Sequence, residues 1–310
     1  PVLNTELAST AFINNYDIYN LEFNLDLGFA TFISSTSHLD TENIGASLSA
    51  QFDFDLGTEV IVLDRLITDT RQSSDSLSQE FRLSGQDEKV DWIVGIYYSD
   101  LSTDSSFNTG FYIDGNIVFR AAPLELSGSG TSKSQAYFAD INYAINERLT
   151  LGVGTRYFEN DQSSKGTING SSEERKGSFD NLSSKVSLSY ALSDKSNIYL
   201  NISEGFRSGG VNSGTNLLYK PEELTSFELG VKSILLEGAL IAEAAIYHSI
   251  YSDYQFNSFD INTGIQAILN PGEAEIDGFE FSLQLKPLDY LSLGVNGNYT
   301  EAEFVEVSPE

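Results

Sequence analysis

Apolar side chains recur at every second position over long stretches of this chain. Between Thr225 and Lys232, Phe227, Leu229 and Val231 alternate with Ser226, Glu228, Gly230 and Lys232. Between Asp277 and Lys286, Phe279, Phe281, Leu283 and Leu285 oppose Glu280, Ser282, Gln284 and Lys286. Val186, Leu188, Tyr190 and Leu192, then Ile198, Leu200 and Ile202, repeat the pattern. A period of two specifies extended strands with one apolar and one polar face. Reading the whole chain this way predicts about fourteen strands and no helix. Further segments fall at Asn20 to Asp26, Phe29 to Ser37, Ser47 to Asp55, Glu59 to Thr68, Leu77 to Ser84 and Asp91 to Leu101.

The connections between strands are unequal. Tight turns are predicted at Ile145 to Arg148, Leu192 to Lys195, Leu236 to Gly238 and Pro287 to Asp289. Between them lie long polar stretches, Asn160 to Leu182, Glu204 to Glu223 and Asn257 to Ala274, which read as loops. Short turns at one end and long loops at the other suit a membrane β-barrel, in which one rim faces the outside. A soluble sandwich gives the same alternation, so two further signals are needed. Strands such as Leu240 to Phe256 and Leu291 to Glu301 reach the roughly 9–11 residues that cross a bilayer at a tilt. Aromatics also gather near strand ends: Tyr143, Tyr157, Phe158, Phe206, Tyr247, Tyr251, Tyr254, Phe256, Tyr290, Tyr299 and Phe304. Such rings suit an interfacial girdle. A propeller is disfavoured, because no Trp-Asp or Gly-His pair punctuates the hairpins and Trp92 is the single Trp.

Composition narrows the function classes. The 45 acidic and 17 basic side chains give a formal charge of −28, the opposite of a nucleic-acid footprint or an anchor on anionic lipid. Divalent cations bridging loops to lipopolysaccharide are compatible with it. No Cys is present, so neither disulfides nor thiolate metal sites are available. The apolar run Ile234 to Ile250 is broken by Glu237, Gly238, Glu243 and His248, too polar for a lipid-facing helix. The chain opens on Pro1-Val2-Leu3 with no signal peptide and closes just past a strand, so it reads as an interior fragment.

Ser203-Glu204-Gly205-Phe206-Arg207-Ser208-Gly209-Gly210-Val211-Asn212, followed by Tyr219-Lys220-Pro221-Glu222-Glu223-Leu224, resembles the barrel of TonB-dependent outer-membrane receptors. The resemblance continues through Ala245-Ile246-Tyr247, Tyr251-Ser252-Asp253-Tyr254-Gln255 and Asn270-Pro271-Gly272-Glu273-Ala274 to Glu280. Upstream, Ser78-Gln79-Glu80-Phe81-Arg82-Leu83-Ser84 and Trp92 to Tyr98 are similar to another family stretch. The family implies an all-β, antiparallel transmembrane β-barrel of about 22 strands, of which this chain supplies a part. Residues 1–310 then form one incomplete barrel domain, with the plug domain, the TonB segment and the C-terminal strands absent. The implied activity is uptake of a scarce nutrient (ferric siderophore, haem, cobalamin or saccharide) across the outer membrane of a Gram-negative bacterium, driven through the TonB complex. The implied partners are TonB, outer-membrane lipid and lipopolysaccharide, and the small nutrient ligand, with no nucleic acid. Gly205, Gly209 and Gly210 are expected to free the chain where side chains would clash. Glu228, Lys232 and Glu280 are expected to face the lumen as wall and plug contacts.

No catalytic, cofactor or metal site is predicted. The two histidines, His38 and His248, have no partners at metal-ligand spacing. Gly128 to Lys133 lacks the spacing of a phosphate loop and reads as a flexible loop. Asp53 to Gly57 fails the calcium-loop pattern and reads as a hairpin turn. Rival functions are a passive porin-like channel, an outer-membrane barrel enzyme using His248 and a nearby Ser, and a soluble adhesin. The expected exposed loop surface is Asn160 to Phe179, Arg207 to Leu218 and Ser258 to Ile268, and no residue there names the substrate.

Overall fold

The computed structural model describes residues 11–49, 52–55, 60–63, 65–113, 116–119, 125–168, 171–212, 218–260 and 265–307. Twelve long strands carry the fold. They are β1 (Ala11–Asp26), β2 (Thr31–Ser49), β3 (Arg65–Gln86), β4 (Val90–Ile113), β5 (Glu125–Ala144) and β6 (Leu149–Ile168). They continue with β7 (Ser171–Ser193), β8 (Ser196–Arg207), β9 (Glu222–Leu235), β10 (Leu240–Ser252), β11 (Gly272–Leu288) and β12 (Leu291–Val307). Each pairs antiparallel with the next in one up-and-down sheet, and the short strand Asn116–Phe119 adds to β4. β1 and β12 each have a neighbour on one side only, so the described sheet is open, a sector of wall rather than a closed barrel.

The two faces separate as the alternation requires. Leu200, Leu229, Ile246, Phe279 and Tyr299 are successive register partners across β8 to β12. The adjacent row is Asn201, Glu228, Tyr247, Gly278 and Thr300. No second layer covers the apolar row: Leu229 is 44% exposed and Ile246 58%. Among the described residues the only buried apolar side chains are Ala30, Ala136 and Ala245. A sheet that leaves this much hydrocarbon uncovered is stable where the solvent is itself hydrocarbon. On the polar face, side chains from non-neighbouring strands meet: Lys185 on β7 reaches Asp140 on β5 at 2.7 Å. They pass over Gly154 of β6, where any Cβ would strike both. Glu228 accepts a hydrogen bond from the Tyr199 hydroxyl at 2.5 Å, and the Lys232 ammonium lies 5.7 Å from that ring. Two of the expected girdle aromatics belong to this face instead. Tyr247 donates to or accepts from Thr300 at 2.8 Å, and Phe158 packs on Phe206 at 5.0 Å.

The strands are fewer and longer than the alternation predicts. Ser47 to Asp55 and Glu59 to Thr68 each divide: residues 47–49 end β2 and 65–68 begin β3, while Phe52–Asp55 and Val60–Leu63 pair as a separate two-stranded ribbon. Asn160 to Leu182 is not a loop, since β6 and β7 pair from Tyr190↔Leu149 up to Ser171↔Ile168. Gly128 to Lys133 likewise lies inside β5. The reason is common to the last two. Above the membrane neither face must be apolar, so Ser, Thr and Asp fill both and periodicity disappears, while the backbone ladder continues. The result is a wall of uneven height. β4 has 24 residues and β7 has 23, against 12 in β8 and 13 in β10. At about 3.3 Å per residue, the longest strand outreaches the shortest by roughly 40 Å along its own direction.

The opposite ends close tightly, at residues 27–30, 87–89, 145–148, 194–195, 236–239 and 289–290. Side-chain caps fix three of them. Asp26 Oδ1 accepts from Gly28 N at 2.7 Å, and Asp87 Oδ1 from Lys89 N and Val90 N at 2.8 and 2.9 Å. Asn146 Oδ1 accepts from Arg148 N and Leu149 N at 2.9 and 3.0 Å. These are Asx turns, which hold the chain reversal with a local acceptor.

Two outcomes are expected. Leu229→Lys places an ammonium on the lipid face and should cost about 2–4 kcal/mol if the residue lies near the bilayer midplane, whereas Asn201→Lys on the polar face should cost far less. Urea unfolding of the full-length protein in vesicles measures the difference. The backbone donors of Lys89 and Val90 hold the Asp87 carboxyl below its ordinary range. A depressed carboxylate stabilises the turn at neutral pH and loses that contribution as pH falls through the folded pKa. Amide exchange at Lys89 and Val90, corrected for intrinsic rates, should therefore lose protection only below the ordinary aspartate value of about 3.9. Asp87→Ala should remove the protection at every pH.

Candidate functional site

The wall parts near its upper end. β7 and β8 pair from Ser193↔Ser196 up to Lys185↔Ser203 and no further. Above that point β7 follows β6 alone, and β8 follows β9 up to Arg207↔Glu222. Glu204 spans the parting, its carboxylate accepting from Ser184 N at 2.9 Å. That interaction satisfies a donor released where the ladder ends.

Beyond Arg207 the chain does not rise with its own strands. It folds across the polar face of the β6–β7 extension as a small ribbon, Gly210–Val211 paired with Leu218–Tyr219. Gln162 Nε2 donates to Gly209 O at 3.0 Å, and Arg175 Nη1 donates to Asn212 O at 3.5 Å. The crossing is close because two residues have no side chain. A Cβ on Gly209 would lie 2.6 Å from the Phe179 ring and from Tyr219 O, and one on Gly210 would overlap the Tyr219 hydroxyl. Neither glycine has positive φ, so space rather than backbone conformation requires them. Gly205 differs from expectation: nothing lies within 4 Å of its Cβ direction, so it answers no clash.

On its other side the infolded loop is clamped to the β10–β11 connection, where Phe256–Asp260 pairs with Ile265–Leu269. Asn212 makes both hydrogen bonds of a strand residue with its side chain, Nδ2 to Ile268 O at 2.8 Å and Oδ1 from Ile268 N at 2.7 Å. Gln255 Nε2 donates to Ser208 O and Lys220 O, both at 3.0 Å, and its backbone N donates to Glu222 at 2.6 Å. Asn270 accepts from Lys220 N at 2.8 Å and donates to Asp253 O at 2.6 Å. Lys220 Nζ closes the ring on Asp253 at 3.1 Å. Burial pushes the Tyr219 hydroxyl pKa up, with the Arg207 guanidinium pulling the other way.

The buried polar residues Asn160, Asn181, Asn212, Glu222 and Gln255 all belong to this region. Asn160 donates to Ser132 and Ser134 and accepts from Gln162; Asn181 donates to Glu223 at 2.9 Å. Where the membrane wall is held chiefly by its ladders, the rim is held by a polar side-chain network. Such a network fixes one geometry, because each member left unpaired would cost roughly 1–3 kcal/mol.

Among the described residues no group of three His, Cys, Asp or Glu is placed to hold a metal ion. His248 does have an acid, with Asp277 Oδ1 2.9 Å from Nδ1, which the sequence spacing had not revealed. The pair sits on the apolar face beside Phe227, and among the described residues no hydroxyl is hydrogen-bonded to it. His38 faces Asp75 at 3.6 Å on the same side of the wall.

Residues 4–308 match the family described as TonB dependent receptor-like, beta-barrel. The chain belongs to this family. It is 26% identical over 242 residues to the pesticin receptor of Yersinia enterocolitica, covering 74% of this chain and 34% of that protein. A probable TonB-dependent siderophore receptor, PiuA of Acinetobacter baumannii, is 23% identical over 283 residues, covering 79% and 37%. The chain therefore spans about a third of the length of the curated relatives it matches. Among solved structures, the ferric yersiniabactin uptake receptor FyuA of Yersinia pestis superposes with a TM-score of 0.77 at 20% identity, over 95% of this chain and 43% of that one. The siderophore receptor PiuA superposes with 0.69 at 16% identity, over 97% and 48%. These superpositions share the fold, an outer-membrane β-barrel wall. The family is one of transport receptors rather than enzymes, and it resides in the outer membrane of Gram-negative bacteria.

Of the three expected loop surfaces, the structure brings parts of all into one cluster. Asn160 to Phe179 forms the β6–β7 extension, Arg207 to Asn212 the infolded segment, and Ser258–Asp260 with Ile265–Ile268 the third wall. Residues 169–170, 213–217 and 261–264 lie outside the described residues, as do Leu56 and Gly57 of the expected turn. The clamp itself was not foreseen, although Asn212, Glu222, Gln255 and Asn270 all fall in the stretches that carry the family resemblance.

Asn212→Ala strips Ile268 of both partners. It should raise amide exchange across residues 208–212 and 265–269 by about tenfold or more, the equivalent of roughly 1–3 kcal/mol. The melting temperature of the barrel should stay nearly unchanged, since the clamp lies beyond the membrane ladders.

Proposed function

We propose that this chain is part of the wall and mouth of an active-transport receptor that takes up a ferric chelate of the siderophore class. The observation that carries the reading is the infolded segment, residues 208–212 and 218–221, clamped across the polar face at the long-loop end. A segment held there by a polar network narrows the entrance and presents fixed contacts to a solute, as selective capture requires. The names of the relatives, a pesticin receptor and siderophore receptors, support the iron-chelate class over haem, cobalamin or saccharide. On this reading residues 1–310 are one incomplete barrel domain. A plug, further strands and the segment engaged by the TonB complex lie in sequence outside it. Lipid and lipopolysaccharide surround the wall, and the charge of −28 disfavours nucleic acid. Energy comes through TonB, because a plugged lumen passes no large solute by diffusion.

Deleting residues 208–218 from the full-length receptor should reduce uptake of a radio-iron siderophore by iron-starved cells by at least about tenfold, a loss of more than ~1.4 kcal/mol in capture. The amount of folded barrel in the outer membrane should not change. Uptake at the normal rate would refute the role of the loop. Uptake that persists in cells lacking TonB would favour the passive porin-like channel.

A further inference from the structure

The lipid-facing side of the wall has a groove of ≈ 500 Å³ running from β2 to β7, with an almost entirely apolar lining. It forms where the outward row becomes small. Ala139 and Thr155, which are register partners, lie at this level, and the Thr155 hydroxyl is turned onto Ser183 O at 3.4 Å. The next row toward the outside is large: Phe81, Tyr137, Tyr157 and Leu182 all border the groove. Tyr137 pairs with Tyr157, and Tyr157 with Leu182, so these side chains form a continuous overhang.

The tyrosines also fix the depth of the groove. Tyr98, Tyr137 and Tyr157 donate their hydroxyls to Asp100, Gln135 and Glu159 at 3.3, 3.4 and 2.9 Å. Each acceptor lies two residues nearer the long-loop end of its strand, and Tyr299 repeats the pattern with Glu301 at 3.2 Å. Rings below and carboxylates or amides above mark the boundary between hydrocarbon and headgroup on the outer leaflet. The groove is one row below that boundary, continuous with the apolar belt already described. Water has almost no polar partner there, so hydrocarbon is the fitting occupant. Lys133, at the headgroup level, is paired with Asp100 at 3.3 Å, so the chemistry selects an acyl chain rather than a phosphate.

We propose that this groove holds one acyl chain of a lipopolysaccharide molecule in the outer leaflet. The test uses the full-length receptor, extracted in mild detergent and analysed for retained lipid by native mass spectrometry. Ala139→Phe fills the groove. Ala244→Phe makes the same change on the outer face of β10, in the row of Val231 and Phe281, away from the groove. The wild type and Ala244→Phe should retain lipopolysaccharide, and Ala139→Phe about tenfold less, the factor for displacing roughly two methylenes from apolar contact. Equal retention by Ala139→Phe, equal loss in Ala244→Phe, or phospholipid as the retained species would overturn the proposal. A second arm does not depend on filling the groove. A photo-crosslinking residue at Leu182 should capture lipopolysaccharide in intact cells, and capture of a protein chain instead would refute the assignment.

Discussion

In hydrocarbon no water is available to a backbone amide, and this one constraint organises the wall. Every N–H and C=O that crosses the membrane must find a partner on a neighbouring strand. The up-and-down order of β1 to β12 supplies such partners with the shortest possible connections. Once the ladder is compulsory, the pleat sends alternate side chains to opposite faces, and the composition of each face follows from its surroundings. The row from Leu200 to Tyr299 and the row from Asn201 to Thr300 are one residue apart in register, yet they meet entirely different media. A slip of a single residue would exchange them, which is why strands of this kind hold their register strongly.

At the upper rim the constraint relaxes, and the architecture changes accordingly. Water reaches both faces of the extended strands, so Ser, Thr and Asp replace the apolar residues. The ladder between β7 and β8 is free to stop at Lys185 and Ser203. Side chains then take over the work of main chain. Glu204 replaces a missing strand partner, Asn212 acts as a strand residue toward Ile268, and Gln255 ties two stretches of backbone together. The rim is therefore specified by amides and carboxylates, each in a definite place, and not by apolar packing.

How much of this was legible in the sequence follows the same division. Strands in contact with lipid advertise themselves, because one face must be apolar; in Thr225 to Lys232 and Asp277 to Lys286 the apolar and polar faces were read from the alternation. The middles of β2 and β3 and the upper parts of β5, β6 and β7 were invisible, because two polar faces leave no period to detect. Two strands were consequently split, and Asn160 to Leu182 and Gly128 to Lys133 were taken for loops. The glycines of the Gly-Phe-Arg-Ser-Gly-Gly stretch were rightly associated with crowding at Gly209 and Gly210. What crowds them, the rings of Phe179 and Tyr219, comes from residues 30 positions upstream and nine downstream, beyond the reach of local pattern. The clamp is hidden for a similar reason. An Asn or Gln in a polar segment looks the same whether it faces water or closes a buried network.

The uneven height of the wall has a bearing on traffic at the cell surface. From β2 to β7 the strands form a palisade, while from β8 to β10 they end low, beside the infolded loop. On the function proposed above, a bulky solute meets the palisade on the β2–β7 flank and the low edge beside the infolded segment on the β8–β10 flank, so the side left short decides what first touches the clamp.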